Sequence, residues 1–295
     1  MKKVLLTFFI VLTFSISFSW LSGFNYRIPI TINNTLNSNN LIDYQILVTL
    51  NTQSLISAGK MRSDCGDIRF TDSDGISLLN YWIESDCNTT NTKIWVKVNI
   101  SANSIKTIYL YYGNPSANSL SNPRATLVLY EDWSSGSTAG WSFRGSGYSV
   151  SITTSEGNPA PAVIISGDCY YCGDNFIYKT ISKPAGIGLR IIADHAGYHG
   201  YYTSNVLTRY FIYKTDGTYV TSYDYYGDAN NVWIYNDQWL VRDSTTLSLT
   251  SLWVGFGLTD AWAANWNQNA RFDNIRVMLY TYPEPTVSLG NEEVC

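Results

Sequence analysis

Charge is in short supply in this sequence. Asp, Glu, Lys and Arg make up 14% of its 295 residues, and the net charge is −4. No run of Lys or Arg occurs, so there is little to neutralise a phosphate backbone, and this argues against nucleic acid as a partner. Histidine is scarcer still, with only His195 and His199, and there are five cysteines. Long apolar runs are absent too, apart from the opening "MKKVLLTFFIVLTFSISFSW". There Lys2 and Lys3 precede an apolar run from Val4 to Phe14, and the small residues Ser17 and Ser19 flank Phe18. The run falls short of the roughly 20 residues a spanning helix needs, so it reads as a signal peptide, residues 1–19, cleaved to leave Trp20 first. The sequence therefore predicts a secreted or surface-held mature chain with no transmembrane segment, long enough for roughly two domains.

An oxidising compartment bears on the stretch "SGDCYYCGDN". Its CxxC spacing suits half a zinc site, a redox dithiol or a short disulfide. No second CxxC completes a zinc site, both histidines lie well downstream, and the flanking Gly, Asp and Asn read as turn rather than as the helix N-terminus that activates a thiol. A Cys169–Cys172 disulfide is expected, with Cys65–Cys87 as a second bridge. A crossed pairing satisfies the same arithmetic, and Cys295 is left over.

Almost everything else reads as strand. Tyr26, Ile28, Ile30 and Ile32 fall on one face of "YRIPITI"; Ile94, Val96, Val98 and Ile100 do so in "KIWVKVNI", with Lys93, Lys97 and Asn99 opposite. Such period-2 alternation marks half-buried antiparallel strands. One short helix is expected in "TQSLISAGK", capped by Asn51 or Thr52 and stopped by Gly59. "RYFIYKTDGTYVTSY" reads as a hairpin about Asp216-Gly217. Between Asn114 and Thr126, "NPSANSLSNPRAT" is polar, holds two prolines and lacks alternation. The expected organisation is all-β: two antiparallel, jelly-roll-like β-sandwiches over residues 20–118 and 126–290, a linker at 119–125 and a tail at 291–295.

"WLSGFNYRIPITINN", "LIDYQILVTLNT", "GDIRFTDSDGISLLNYWIE", "TKIWVKVNIS" and "TIYLYYGNPSA" occur in that order. Together, over about residues 20–118, they resemble the family of unknown function DUF2341, which implies an envelope or extracellular setting and no established activity. The second part, from "LYEDWSSGSTAGWSF" to "RFDNIRVMLY", is similar to galactose-binding and carbohydrate-binding jelly rolls. That resemblance implies a structural calcium joining the two ends of the domain, held by Glu131 or Asp132 and by Asp273.

Signs of catalysis are missing. "DSDG" at Asp72–Gly75 opens like a calcium loop, but Ile83 stands where the bidentate Glu belongs, so a hairpin turn is expected. His195 and His199 have i, i+4 spacing, but Gly197 and Gly200 argue against a helix, and they read as surface or loop residues. There is no G-x-S-x-G, and no E-x-D-x-x-E of the lectin-fold glucanases. What the sequence has in plenty is aromatic rings, 10 Trp and 23 Tyr. Sugar rings stack their C–H faces on such side chains while amides bond the hydroxyls. The candidate glycan-binding residues are Trp262, Asn265, Trp266, Asn267 and Gln268, then Tyr201 and Tyr202, then Trp233 and Trp239. Asn33, Asn88 and Asn99 are sequons. The expected function is non-enzymatic binding of a cell-surface or extracellular glycan, as in adhesion. Self-association as a surface-layer or filament subunit is the alternative, and glycan hydrolysis a third.

Overall fold

The alternation read from the sequence becomes strand pairing across most of the chain. The computed structural model describes residues 20–84, 86–167, 173–199, 206–226, 232–260 and 268–294. The predicted signal peptide, Cys169, Cys172 and Cys295 lie outside the described residues. So do Tyr201, Tyr202, Trp262, Asn265, Trp266 and Asn267.

The first sandwich comprises β1 (Tyr26–Asn33), β2 (Leu41–Leu50), the short helix α1 (Thr52–Ser57), β3 (Arg69–Thr71), β4 (Leu78–Leu79), β5 (Tyr81–Ile83), β6 (Thr92–Ile100) and β7 (Ile105–Tyr112). One of its sheets includes β1, β7, β3 and β4 side by side, and the other is β2-β6-β5, antiparallel throughout. Ile28, Ile30 and Ile32 from the first sheet meet Ile94, Val96, Val98 and Ile100 from the second in one buried core. The Asn51 side chain accepts the Ser54 N–H to cap α1, and Gly59 follows at φ +69°, a conformation few other residues adopt without strain. Asp72–Gly75 is the hairpin turn between β3 and β4. Cys65 and Cys87 form a disulfide, as expected.

Residues 119–125 do more than connect. Asn122 donates its N–H to the Tyr81 carbonyl, Ser121 Oγ accepts the Ile83 N–H, and Asn122 caps the one-turn helix α2 (Pro123–Thr126). The second sandwich follows with β8 (Leu129–Glu131), β9 (Ser142–Arg144), β10 (Tyr148–Thr153), β11 (Ala162–Gly167), β12 (Gly173–Ser182), β13 (Gly188–His199), β14 (Val206–Tyr213), β15 (Tyr219–Tyr226), β16 (Ile234–Val241), α3 (Ser244–Ser248), β17 (Ser251–Asp260) and β18 (Gln268–Tyr280). Its two sheets run β10-β11-β18-β13-β16, with β8 also on β18, and β15-β14-β17-β12-β9. The hairpin about Asp216-Gly217 joins β14 to β15 as read.

The chain then departs from the expected organisation. β19 (Thr286–Leu289) and β20 (Glu293–Val294) both pair with β1 of the first sandwich. Residues expected to end the second domain and form a tail therefore complete the first. Two ion pairs hold them there, Arg27 with Glu293 and Lys60 with Glu292.

The sandwiches are stacked face to face. The face of β2-β6-β5 turned away from its own core carries Leu47, Trp82 and Trp95, which pack against Leu127, Tyr130, Ile192 and Met278. Gln45 clamps this seam: its side-chain NH2 donates to the Thr126 carbonyl at 3.2 Å, and its Oε1 accepts the Leu279 N–H at 2.9 Å.

Candidate functional site

A cleft opens beside that seam. The register of β13 slips between Ile192 and Asp194 against β18, and between Ala193 and His195 against β16. Such a bulge turns a side chain out of its alternating position. Asn236 on β16 and Asn274 on β18 flank it at φ +55° and +49°, a left-handed conformation that Asn tolerates better than most residues. The Asp194 carboxylate, 1% exposed, accepts the Asn236 N–H at 2.6 Å and the side-chain amides of Asn158 and Asn274 at 2.9 Å each. Buried carboxylates need such donors, and here they fix two side-chain amides and one backbone N–H around one point.

Arg276 of β18 reaches across to the first sandwich. It donates to Glu84 Oε1 at 2.6 Å and to Asn236 Oδ1 at 2.6 Å, while Glu84 Oε2 accepts the Trp95 indole N–H at 2.9 Å. The Glu84–Arg276 pair is largely shielded from water, with side chains 17% and 7% exposed. Two compartments meet at it. The larger, about 580 Å³, is lined by Leu47, Trp95, Arg190, Ile192 and Gln238 in addition to the pair. The smaller, about 240 Å³, is walled by Trp82, Tyr130, Asn158, Asp194 and Asn274. Trp82 and Tyr130 meet across the seam with ring centroids 5.5 Å apart. Burial, reinforced by Asp132, pushes the Tyr130 hydroxyl up to about 12, so it stays protonated and can donate. Gln238 is exposed and makes no side-chain hydrogen bond among the described residues. The larger compartment falls in the usual size range of small-ligand sites, about 300–1,000 Å³. Rings, amides and a charged pair together can hold a polyhydroxylated ligand.

Of the described residues expected to bind, none lines this cleft. Gln268 is 3% exposed and its Oε1 accepts the Tyr148 hydroxyl at 2.9 Å, so it serves the interior. Trp239 is half-buried, packed against the core and stacked over Tyr223. Trp233 is half-buried. Asn33, Asn88 and Asn99 are exposed.

The calcium set does not fit a cation. Glu131 accepts the Trp133 N–H and the Trp141 indole N–H, and Asp132 accepts Ser134 donors and pairs with Arg124. Asp273 accepts the backbone N–H groups of Asn158 and Asn274 at 2.7 Å each. Each of these carboxylates is thus engaged by protein donors, and no cluster of metal-ligating side chains is found among the described residues.

His195 is also not at the surface. It is fully buried in β13, with Nδ1 2.8 Å from Thr208 Oγ1 and Nε2 3.1 Å from Asp237 Oδ2. Hydroxyl, imidazole and carboxylate are the parts of a nucleophilic triad. Thr208, however, is 1% exposed between the two sheets, where no scissile bond reaches it. The trio satisfies a buried imidazole. His199 continues the β13 ladder opposite Gln268.

The fold and cleft define an all-β protein of two stacked sandwiches with an amide- and aromatic-lined groove between them. The family model described as "Domain of unknown function (DUF2341)" matches residues 64–144, from the Cys65 loop of the first sandwich to β9 of the second. Nothing among curated proteins matches the chain. Similar solved structures include several carbohydrate-binding modules. The CBM22-1 xylan-binding domain of Xyn10C from Paenibacillus barcinonensis is 14% identical with a TM-score of 0.37, over 52% of this chain and 95% of that one. TmCBM61, solved with beta-1,4-galactotriose, is 13% identical with a TM-score of 0.35, over 52% and 97%. The tandem CBM22-1–CBM22-2 of the same Xyn10C is 10% identical with a TM-score of 0.38, over 88% and 80%. These likenesses place no ligand in this chain.

Proposed function

We propose that this protein is a non-enzymatic glycan-binding protein of the cell exterior, and that it holds its ligand in the cleft between the sandwiches. The observation that carries this reading is the convergence of Trp82, Trp95 and Tyr130 with Asn158, Asn236, Asn274 and Gln238 around one ion pair. Rings offer stacking surfaces and amides offer paired donors and acceptors, which is what the alternating C–H faces and hydroxyls of a neutral oligosaccharide require. The signal-peptide pattern and the Cys65–Cys87 disulfide support an exterior location.

The test is a glycan array followed by calorimetry on the full chain. Gln238→Trp places an indole in the larger compartment without touching the core, and should abolish binding while leaving the melting temperature unchanged. Retained affinity in this variant would move the site elsewhere.

A further inference from the structure

The other flank of the same seam carries a second cleft of about 550 Å³ that shares no lining residue with the first. Its floor is apolar, from Leu127, Leu129, Ile181 and Leu279. Three lysines line it, Lys97 from β6, Lys179 from β12 and Lys183 just beyond β12, against one acidic residue, Asp43. Two lysines outside the cleft are matched with carboxylates, Lys60 with Glu292 and Lys106 with Asp72. Among the described residues Lys97, Lys179 and Lys183 have no carboxylate within ion-pair distance.

Lys183 is the telling one. The residue is 5% exposed, and its ammonium finds a single weak acceptor, the Pro184 carbonyl at 3.3 Å. Burying an ammonium without a counter-charge is costly. Desolvation pushes the Lys183 amine down to about 8, with Asp243 only partly offsetting it. Lys179 sets its ammonium 5.1 Å from the Trp141 ring. Thr180 and Ser182 add hydroxyls to the wall, and Gln45 an amide.

We infer that this cleft binds the anionic group of an acidic saccharide, a ring-borne carboxylate or sulfate. The anion supplies the counter-charge that the three ammonium groups lack, and the apolar floor accepts the sugar's C–H face. In a chain of net charge −4, an anion would be drawn here by local rather than overall charge.

Calorimetry on the full chain at low salt tests this with oligogalacturonate for the carboxylate, sulfated dextran oligosaccharide for the sulfate, and unmodified dextran as the neutral arm. At least one acidic probe should bind, weaken with added salt, and outcompete the neutral arm. Lys97→Glu should weaken binding at least tenfold with an unchanged melt, since one charge-assisted hydrogen bond is worth about that much. Lys183→Met should also weaken binding about tenfold while raising the melting temperature, because it removes a buried charge that Asp243 only partly offsets. A purely structural lysine would not separate the two readouts. Gln238→Trp should leave acidic binding intact, which keeps this site distinguishable from the first cleft. Equal binding of neutral and acidic probes, or full affinity in Lys97→Glu, overturns the inference.

Discussion

Glu84 of the first sandwich and Arg276 of the second meet at 2.6 Å across the domain seam, nearly out of reach of water. Each also has a task in its own domain: Glu84 holds the Trp95 indole, and Arg276 holds Asn236. Removing one partner strands a buried charge. Glu84→Ala is expected to destabilise the protein by about 3 kcal/mol. The double variant Glu84→Leu/Arg276→Met should cost clearly less than the two single losses summed. Denaturant unfolding of the four proteins in the cycle gives the coupling.

The Cys65–Cys87 bridge closes a loop with a sequence separation of 22. Loop-closure entropy for that span corresponds to about 3 kcal/mol. Cys65→Ser should lower stability by about that amount in urea unfolding, and reductant should bring the wild type toward the same midpoint.

Asp273 gives the folded protein a distinctive pH response. Desolvation, helped by Asp194 and Asp132, pushes its carboxyl up to about 6, against the opposing backbone donors of Asn158 and Asn274. Between roughly pH 4 and 6 the folded state keeps a proton that the unfolded chain releases, so this residue makes stability fall as pH rises through that window. The loss is complete about a unit above pH 6 and is on the order of 3 kcal/mol. Asp273→Asn should flatten the slope, which melts at half-unit pH steps will show. Added calcium is expected to leave the wild-type melt unchanged.

Gly255 lies on β17 beneath the Phe176 ring. A Cβ there would come within 2.5 Å of that ring, which is itself fully buried and stacked on Phe211 at 4.4 Å. The ring has nowhere to go. Gly255→Ala should cost about 1–3 kcal/mol by overpacking, read from the thermal midpoint.

The strands were legible because period-2 patterning reports which side chains face a core, and Ile28, Ile30, Ile32 and Ile94 through Ile100 follow it. Much of the cleft was written in the same lines. On β6 the alternation that sends Lys93 and Lys97 outward sends Trp95 outward too, and an indole on an otherwise polar face needs a partner surface. That signal is readable, but its partners, Ile192 and Met278, lie far along the chain in another domain. Asp194 and Asn236 were hidden for a different reason. A bulge displaces them from alternation, and no period reveals a register slip. The burial of His195 was missed because the glycines near it read as loop, whereas β13 runs unbroken from Gly188 to His199.

The return of β19 and β20 to β1 has a consequence for the order of synthesis. The edge of β1 waits for Thr286–Leu289, so the first sandwich is finished only after the second has been made. The second sandwich can settle while its host is still incomplete. A chain cut short just after β18 would keep every strand of the later domain and lose two from the earlier one, exposing Ile30 and Ile32 along a bare sheet edge. Damage in the stretch after β18 would thus be felt in the first sandwich.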